Sequence, residues 1–178
     1  MVEGRHKWTF KARFRTSAYG WRGSSLAIKR LKEAVSEITK VAKREPVLAA
    51  DGAVALMERL WPALQDIDSS TGALGRAVFT TLDKLIPMLI DAPADRKTRQ
   101  AWLERLFTAI QSDGVDYLAP VEDRWGDICV FPELADAWVE DLMPVVRRVW
   151  SDHNHFSVVK GDHACLSCLL QLGRYQDL

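Results

Sequence analysis

The chain has little cysteine: three residues in 178, an odd number. That excludes a self-contained disulfide framework and makes a reducing, cytoplasmic setting the expectation. No apolar run reaches the length of a membrane span, and the opening Met1-Val2-Glu3-Gly4-Arg5-His6-Lys7 lacks the apolar core of a secretory signal. No membrane partner is expected. Net charge of either sign is missing too, with 24 Lys/Arg against 24 Asp/Glu. The signatures of common enzyme classes are also absent. Gly72-Ala73-Leu74-Gly75 has neither the lysine nor the preceding strand of a phosphate-binding loop, no serine sits on a nucleophile elbow, and no His-Glu-x-x-His occurs. What is left is the composition of a globular protein, 48% hydrophobic and 27% charged, long enough for one core or a short stack of helical repeats.

The zero net charge conceals an asymmetry. Residues 1–45 hold 12 Lys/Arg against 4 Asp/Glu, and residues 46–178 hold 12 against 20. A basic end of this kind meets an acidic partner or folds back on the acidic body of its own chain.

One short phrase occurs three times, as Ala55-Leu56-Met57-Glu58-Arg59-Leu60, Ala101-Trp102-Leu103-Glu104-Arg105-Leu106 and Ala137-Trp138-Val139-Glu140-Asp141-Leu142. In a helix its second and sixth positions share one face and its Glu turns toward water. Spacings of 46 and 36 residues suit one copy per helical hairpin, although Ala, Leu and Glu are also simply good helix formers.

Around these copies the pattern is helical. Ser24 or Ser25 can cap a first helix whose Ile28, Leu31, Val35, Ile38 and Ala42 recur at three- and four-residue steps. Pro46 ends it and starts a second helix over about 46–65, with a weak point at Asp51-Gly52. The capping cluster Asp68-Ser69-Ser70 opens a third over 71–91, and Asp95 precedes a fourth over 96–112 with Trp102, Leu103, Leu106 and Ile110 inward. The segment 115–129 is less regular, and Pro132 starts a helix to about 150. A polar loop, 151–162, leads to a last hairpin through Gly173, whose final turn begins a helix that is not completed. The chain is therefore expected to be a piece of a longer array, to cap itself, or to associate with a second copy.

Three prolines interrupt apolar helical stretches: Leu60-Trp61-Pro62-Ala63-Leu64, Leu85-Ile86-Pro87-Met88-Leu89 and Leu142-Met143-Pro144-Val145-Val146. Each removes a backbone hydrogen bond and bends its helix. In this the chain resembles HEAT-like α-solenoid proteins over about residues 46–150. The resemblance implies a surface for binding macromolecules and carries over no functional residue.

Two groups of residues could carry chemistry. Residues 5–15 alternate apolar and basic, with Trp8, Phe10, Ala12 and Phe14 on one side of an extended segment and Lys7, Lys11, Arg13 and Arg15 on the other. Phe10 and Phe14, four apart, also allow a helix, and the expectation is an irregular or short extended arm. Cations neutralise phosphates and rings stack on bases, so Lys7, Trp8, Lys11, Arg13, Arg15 and Arg22 form a candidate nucleic-acid interface, continued by Lys29 and Arg30. The competing reading anchors Trp8, Phe10 and Phe14 on the helical body and leaves the cations facing water or acidic helices. The second group is His153, His155, His163, Cys165 and Cys168, ligand types that zinc prefers. Against it, Cys165 and Cys168 fall three apart in a leucine-rich helical pattern, where thiols act as small core residues. Glu122, Asp123 and Asp127 beside Trp125 can be read as paired acids, though carboxylates on a helix edge are ordinarily solvated. The seven tryptophans fit packing between helices.

The expected fold is thus all-α: stacked antiparallel hairpins, a HEAT-like αα superhelix of about seven helices over residues 24–178, with a basic aromatic arm at 1–23. The expected function is a non-enzymatic interaction module binding a protein partner or itself, with no cofactor unless zinc. Nucleic-acid binding through the arm is the alternative, and an enzyme of unknown class the third reading.

Overall fold

The computed structural model describes residues 6–151 and 159–178, and among them helix is the only regular structure. A 3-10 turn at Thr9–Ala12 precedes α1 (Ser24–Ala42), α2 (Pro46–Leu64), α3 (Ala73–Asp91), α4 (Arg96–Ser112), α5 (Ala119–Asp123), α6 (Trp125–Cys129), α7 (Pro132–Ser151) and α8 (Asp162–Gln171). A second 3-10 turn follows at Tyr175–Asp177. The count exceeds the expected seven because the irregular 115–129 stretch folds as two five-residue helices that meet at Arg124.

The centre of the packing is α2. Every residue from Gly52 to Met57 is buried, and the helix touches α1, α3, α4 and the N-terminal turn. A helix apolar on all sides belongs inside, which is why this one shows little amphipathic contrast. The helices α1 and α3 flank it and touch each other. At the other end α8 is enclosed by α5, α6 and α7, over an aromatic cluster in which Trp138 stands 4.9 Å from Phe107 and 5.2 Å from Trp125.

Local signals place most helix ends. Pro46 and Pro132 begin α2 and α7, and the Asp95 carboxylate accepts the Thr98 N–H at 2.7 Å, capping α4. Pro62, Pro87 and Pro144 lie inside α2, α3 and α7 as the pattern implied. Two caps differ from expectation. Ser24 and Ser25 lie inside α1, whose cap is Gly23, and α3 is capped by Gly72 rather than by the Asp68-Ser69-Ser70 cluster, where Asp68 instead accepts the Ser70 N–H.

The three copies of the phrase lie in α2, α4 and α7. Leu56, Leu60, Trp102 and Leu106 are buried and Trp138 and Leu142 half-buried. Glu104 and Glu140 face water, but Glu58 does not: Arg105, from the second copy, clamps it through Nε at 2.9 Å and Nη2 at 2.7 Å and also reaches Asp51 at 2.7 Å. This fork joins α2 to α4 and holds the Arg105 guanidinium firmly protonated. A HEAT-like repeat is not shown by these contacts.

A buried cation locks the middle of the molecule. Arg99 on α4 is 1% exposed, and its guanidinium donates to the carbonyls of Leu89 at 2.7 Å, Ala92 at 2.7 Å and Ile128 at 2.9 Å while lying 5.7 Å over Trp102. Those carbonyls stand at the C-terminal ends of α3 and α6, where the helix dipoles concentrate partial negative charge. One side chain thereby caps two helices, and burial lowers its pKa.

Candidate interaction surface

The arm is a built part of the fold. Trp8, Phe10, Phe14 and Tyr19 are each 5% exposed or less. Trp8 lies flat on α2 at Gly52, where an added Cβ would come 2.3 Å from the indole, so the glycine that weakens the helix on paper makes room for the ring. Phe10 follows at 5.5 Å from Trp8, and Phe14 meets Tyr19 at 5.8 Å. Of the irregular, extended and helical forms the pattern allowed, the arm takes a 3-10 turn at Thr9–Ala12, and Ala12, placed on the apolar side by the alternation, is exposed.

Carboxylates of α1 fasten this turn. Glu37 accepts the Thr9 N–H at 2.7 Å, the Thr9 hydroxyl at 2.7 Å and the Phe10 N–H at 3.2 Å, satisfying donors that an isolated turn leaves open. Glu33 bridges Arg13 at 2.5 Å and Arg30 at 2.7 Å, and the Arg30 hydrogen bond holds its carboxyl below the usual range. Further along, Ser17 donates its N–H to the Pro62 carbonyl at 2.8 Å, and the backbone N–H of Asp68 donates to the Trp21 carbonyl at 3.0 Å.

Of the candidate nucleic-acid residues, Trp8 is therefore in the core with both neighbours in place, and Arg13 is committed to Glu33. Lys7, Arg15 and Arg22 are exposed and Lys11 half-buried, and among the described residues none of them sits in an ion pair. Two open clefts hold Lys7, Lys11 and Arg15, with Glu58 also lining the first and Glu33 and Glu37 the second. One, of about 510 Å³, brings Lys11 and Arg15 beside Arg59 of α2. The other, of about 760 Å³, sets Lys7 and His6 beside Lys32 and Lys40 of α1. Trp21 is the exposed ring of the arm, 67% open next to Arg22.

Three of the five candidate zinc ligands are described, and they face different sides of α8. His153 and His155 lie outside the described residues. His163 is exposed, and its Nδ1 stands 2.8 Å from Asp123 Oδ1, a bond that raises the imidazole pKa. Cys165 and Cys168 are fully buried on the inner side of α8, and burial pushes the Cys165 thiol up to about 11. Among the described residues no three potential ligands cluster.

The three acids near Trp125 separate. Asp123 goes to His163 and Asp127 to Arg124 at 2.5 Å. Glu122 turns inward, 9% exposed, and accepts the Gly161 N–H at 3.0 Å, and burial raises its pKa. Gly161 needs its φ of +99° and sits against Phe107, so backbone and ring together place the N–H on the carboxylate. The sequence offered Glu122 as an acid on a helix edge and gave no sign of its burial; Gly161 is the one local mark of the turn that meets it.

No family model, curated protein or solved structure matches this chain. Among the described residues no helix is long and apolar enough to cross a membrane.

Proposed function

We propose that the chain is a non-enzymatic helical interaction module that binds an acidic protein partner through the cationic side of its arm and α1. The observation that supports this is the sorting within the arm. Its rings at Trp8, Phe10 and Phe14 are used in the core while Lys7, Arg15 and Arg22 are exposed and Lys11 is half-buried. Base stacking needs open ring faces, whereas carboxylates need only accessible cations. The finer architectural reading, a HEAT-like stack over about residues 46–150, belongs to the same proposal. What supports it is that each copy of the phrase turns its second and sixth positions inward.

The test is light-scattering chromatography of the purified chain at low and high salt with an absorbance ratio for nucleic acid, followed by anisotropy titrations with labelled poly-glutamate and a labelled single-stranded oligonucleotide. Nucleic-acid-free protein that binds poly-glutamate, with binding lost in Lys11→Glu/Arg15→Glu, is the expected outcome. Nucleic acid carried at low salt and stripped at high salt would replace this reading by the second one. That second reading is favoured by Trp21, open beside Arg22, and predicts that Trp21→Ala weakens oligonucleotide binding.

A further inference from the structure

Between α1 and α3 runs a groove of about 290 Å³. Its floor is Ile28, Leu31 and Val35 from α1 with Ala73 and Ala77 from α3. The α1 residues follow a helical stripe, and the small α3 residues leave the space between the two helices unfilled. The charged side chains that line it are all cationic: Lys32, Arg76 and Lys84 stand there with Thr80 and Thr81, no carboxylate does, and among the described residues none of the three cations is ion-paired. From Ala73 to Lys84 the groove follows about three helical turns, some 16 Å.

We propose that this groove takes an amphipathic helix with acidic flanks from a protein partner, which rests on the protein-partner reading above and names what the partner presents. Three features select that occupant. An apolar floor without exposed rings offers nothing for a base to stack on, so nucleic acid would use the rim alone. A fatty acid carries one charge, whereas Arg76 and Lys84 stand eight residues apart, about 12 Å along α3, and call for several acids spaced along the ligand. A helix with apolar residues at three- and four-residue steps and Glu beside them fills the floor and meets all three cations at once.

The experiment uses a labelled designed peptide of about 16 residues with leucines on one face and glutamates flanking them, and a second peptide of identical composition whose order destroys the stripe. Anisotropy is measured against the full chain, and circular dichroism confirms that each variant is folded. The amphipathic peptide is expected to bind about tenfold tighter than the reordered one, and Arg76→Glu/Lys84→Glu to weaken it by about tenfold or more. Thr80→Trp, which places a large ring in the groove from an exposed position, is expected to weaken it similarly without touching any charge. Equal binding of the two peptides, or indifference to Thr80→Trp, would overturn the proposal. Displacement of the peptide by an oligonucleotide would also overturn it, as would self-association of the chain abolished by Thr80→Trp. If poly-glutamate still binds through Lys11 and Arg15 in any of these cases, only the groove assignment has failed. If it does not, the broader reading has failed as well.

Discussion

Glu37 and Glu122 do the same job at opposite ends of the molecule, each accepting backbone N–H groups from a segment that lacks a helical partner for them. Glu37 does it from the surface of α1, with water on its other side, and Glu122 from inside the α5 and α8 contact, 9% exposed. The difference decides what each tie is worth and how it responds to acid. A surface acceptor can be replaced by water when it is removed, whereas a buried N–H left without its acceptor bears its desolvation unrelieved. The neighbouring charges follow the same division. Glu33, beside Arg30 and Arg13, is held below the usual carboxylate range, while Glu122 is raised by burial and His163 is raised by Asp123.

The largest expected effect tests whether the arm belongs to the core at all. Trp8→Ala should cost about 3–5 kcal/mol in urea unfolding, the scale of a buried aromatic. Gly52→Ala should cost about 1–3 kcal/mol in the native background, because its Cβ would meet the Trp8 ring, and should become neutral or stabilising in the Trp8→Ala background. An arm that merely lies on the surface would show neither the loss nor the coupling.

Next comes the direct comparison of the two ties. Glu122→Ala should cost about 2 kcal/mol by leaving the Gly161 N–H buried without an acceptor, and Glu37→Ala about 1 kcal/mol or less. Equal losses would erase the distinction between buried and surface ties.

The pH response should sharpen the comparison further. Glu122 and His163 are both raised, so their stabilisation is fully present below their unfolded values and fades as pH climbs through the folded ones. Glu33 is lowered, so the support it gives the arm is present above its unfolded value and fades as pH falls. Hydrogen exchange, corrected for intrinsic rates, should show the segment around Gly161 losing protection as pH rises above the ordinary carboxylate range, and the segment around Arg13 losing protection as pH falls below it. Glu122→Gln should flatten the carboxylate's part of the Gly161 response.

The smallest effect on stability is expected from Lys11→Glu and Arg15→Glu, within about 0.5 kcal/mol, because neither side chain is tied to the body. A larger loss would turn these cations from a binding surface into part of the clasp.

Much of the helical layout was legible. The steps of Leu31, Ile38, Trp102, Leu106 and Ile110 named buried faces correctly, and Pro46, Asp95 and Pro132 named helix starts, because a cap or a proline acts on backbone within one turn. The arm was read in outline only. Its alternation of apolar and basic residues matches a strand, yet no strand occurs among the described residues, and Glu37, more than twenty residues away, supplies the acceptors that a turn requires. Of the zinc candidates, the three that are described divide for a similar reason: Cys165 and Cys168 face the core while His163 on the same helix faces Asp123.

Alone, the sequence determined where helices run, which of their faces are apolar, and that positive charge collects in residues 1–45, since these depend on propensities and spacings within a few residues. Only the tertiary structure decided that Trp8 rests on Gly52, that Arg99 caps α3 and α6 together, that Arg105 joins two copies of the phrase, and that Glu122 is desolvated. Each of these joins groups that are distant in sequence or on different elements. What they exchange is water, and which groups lose it is fixed only when the helices meet.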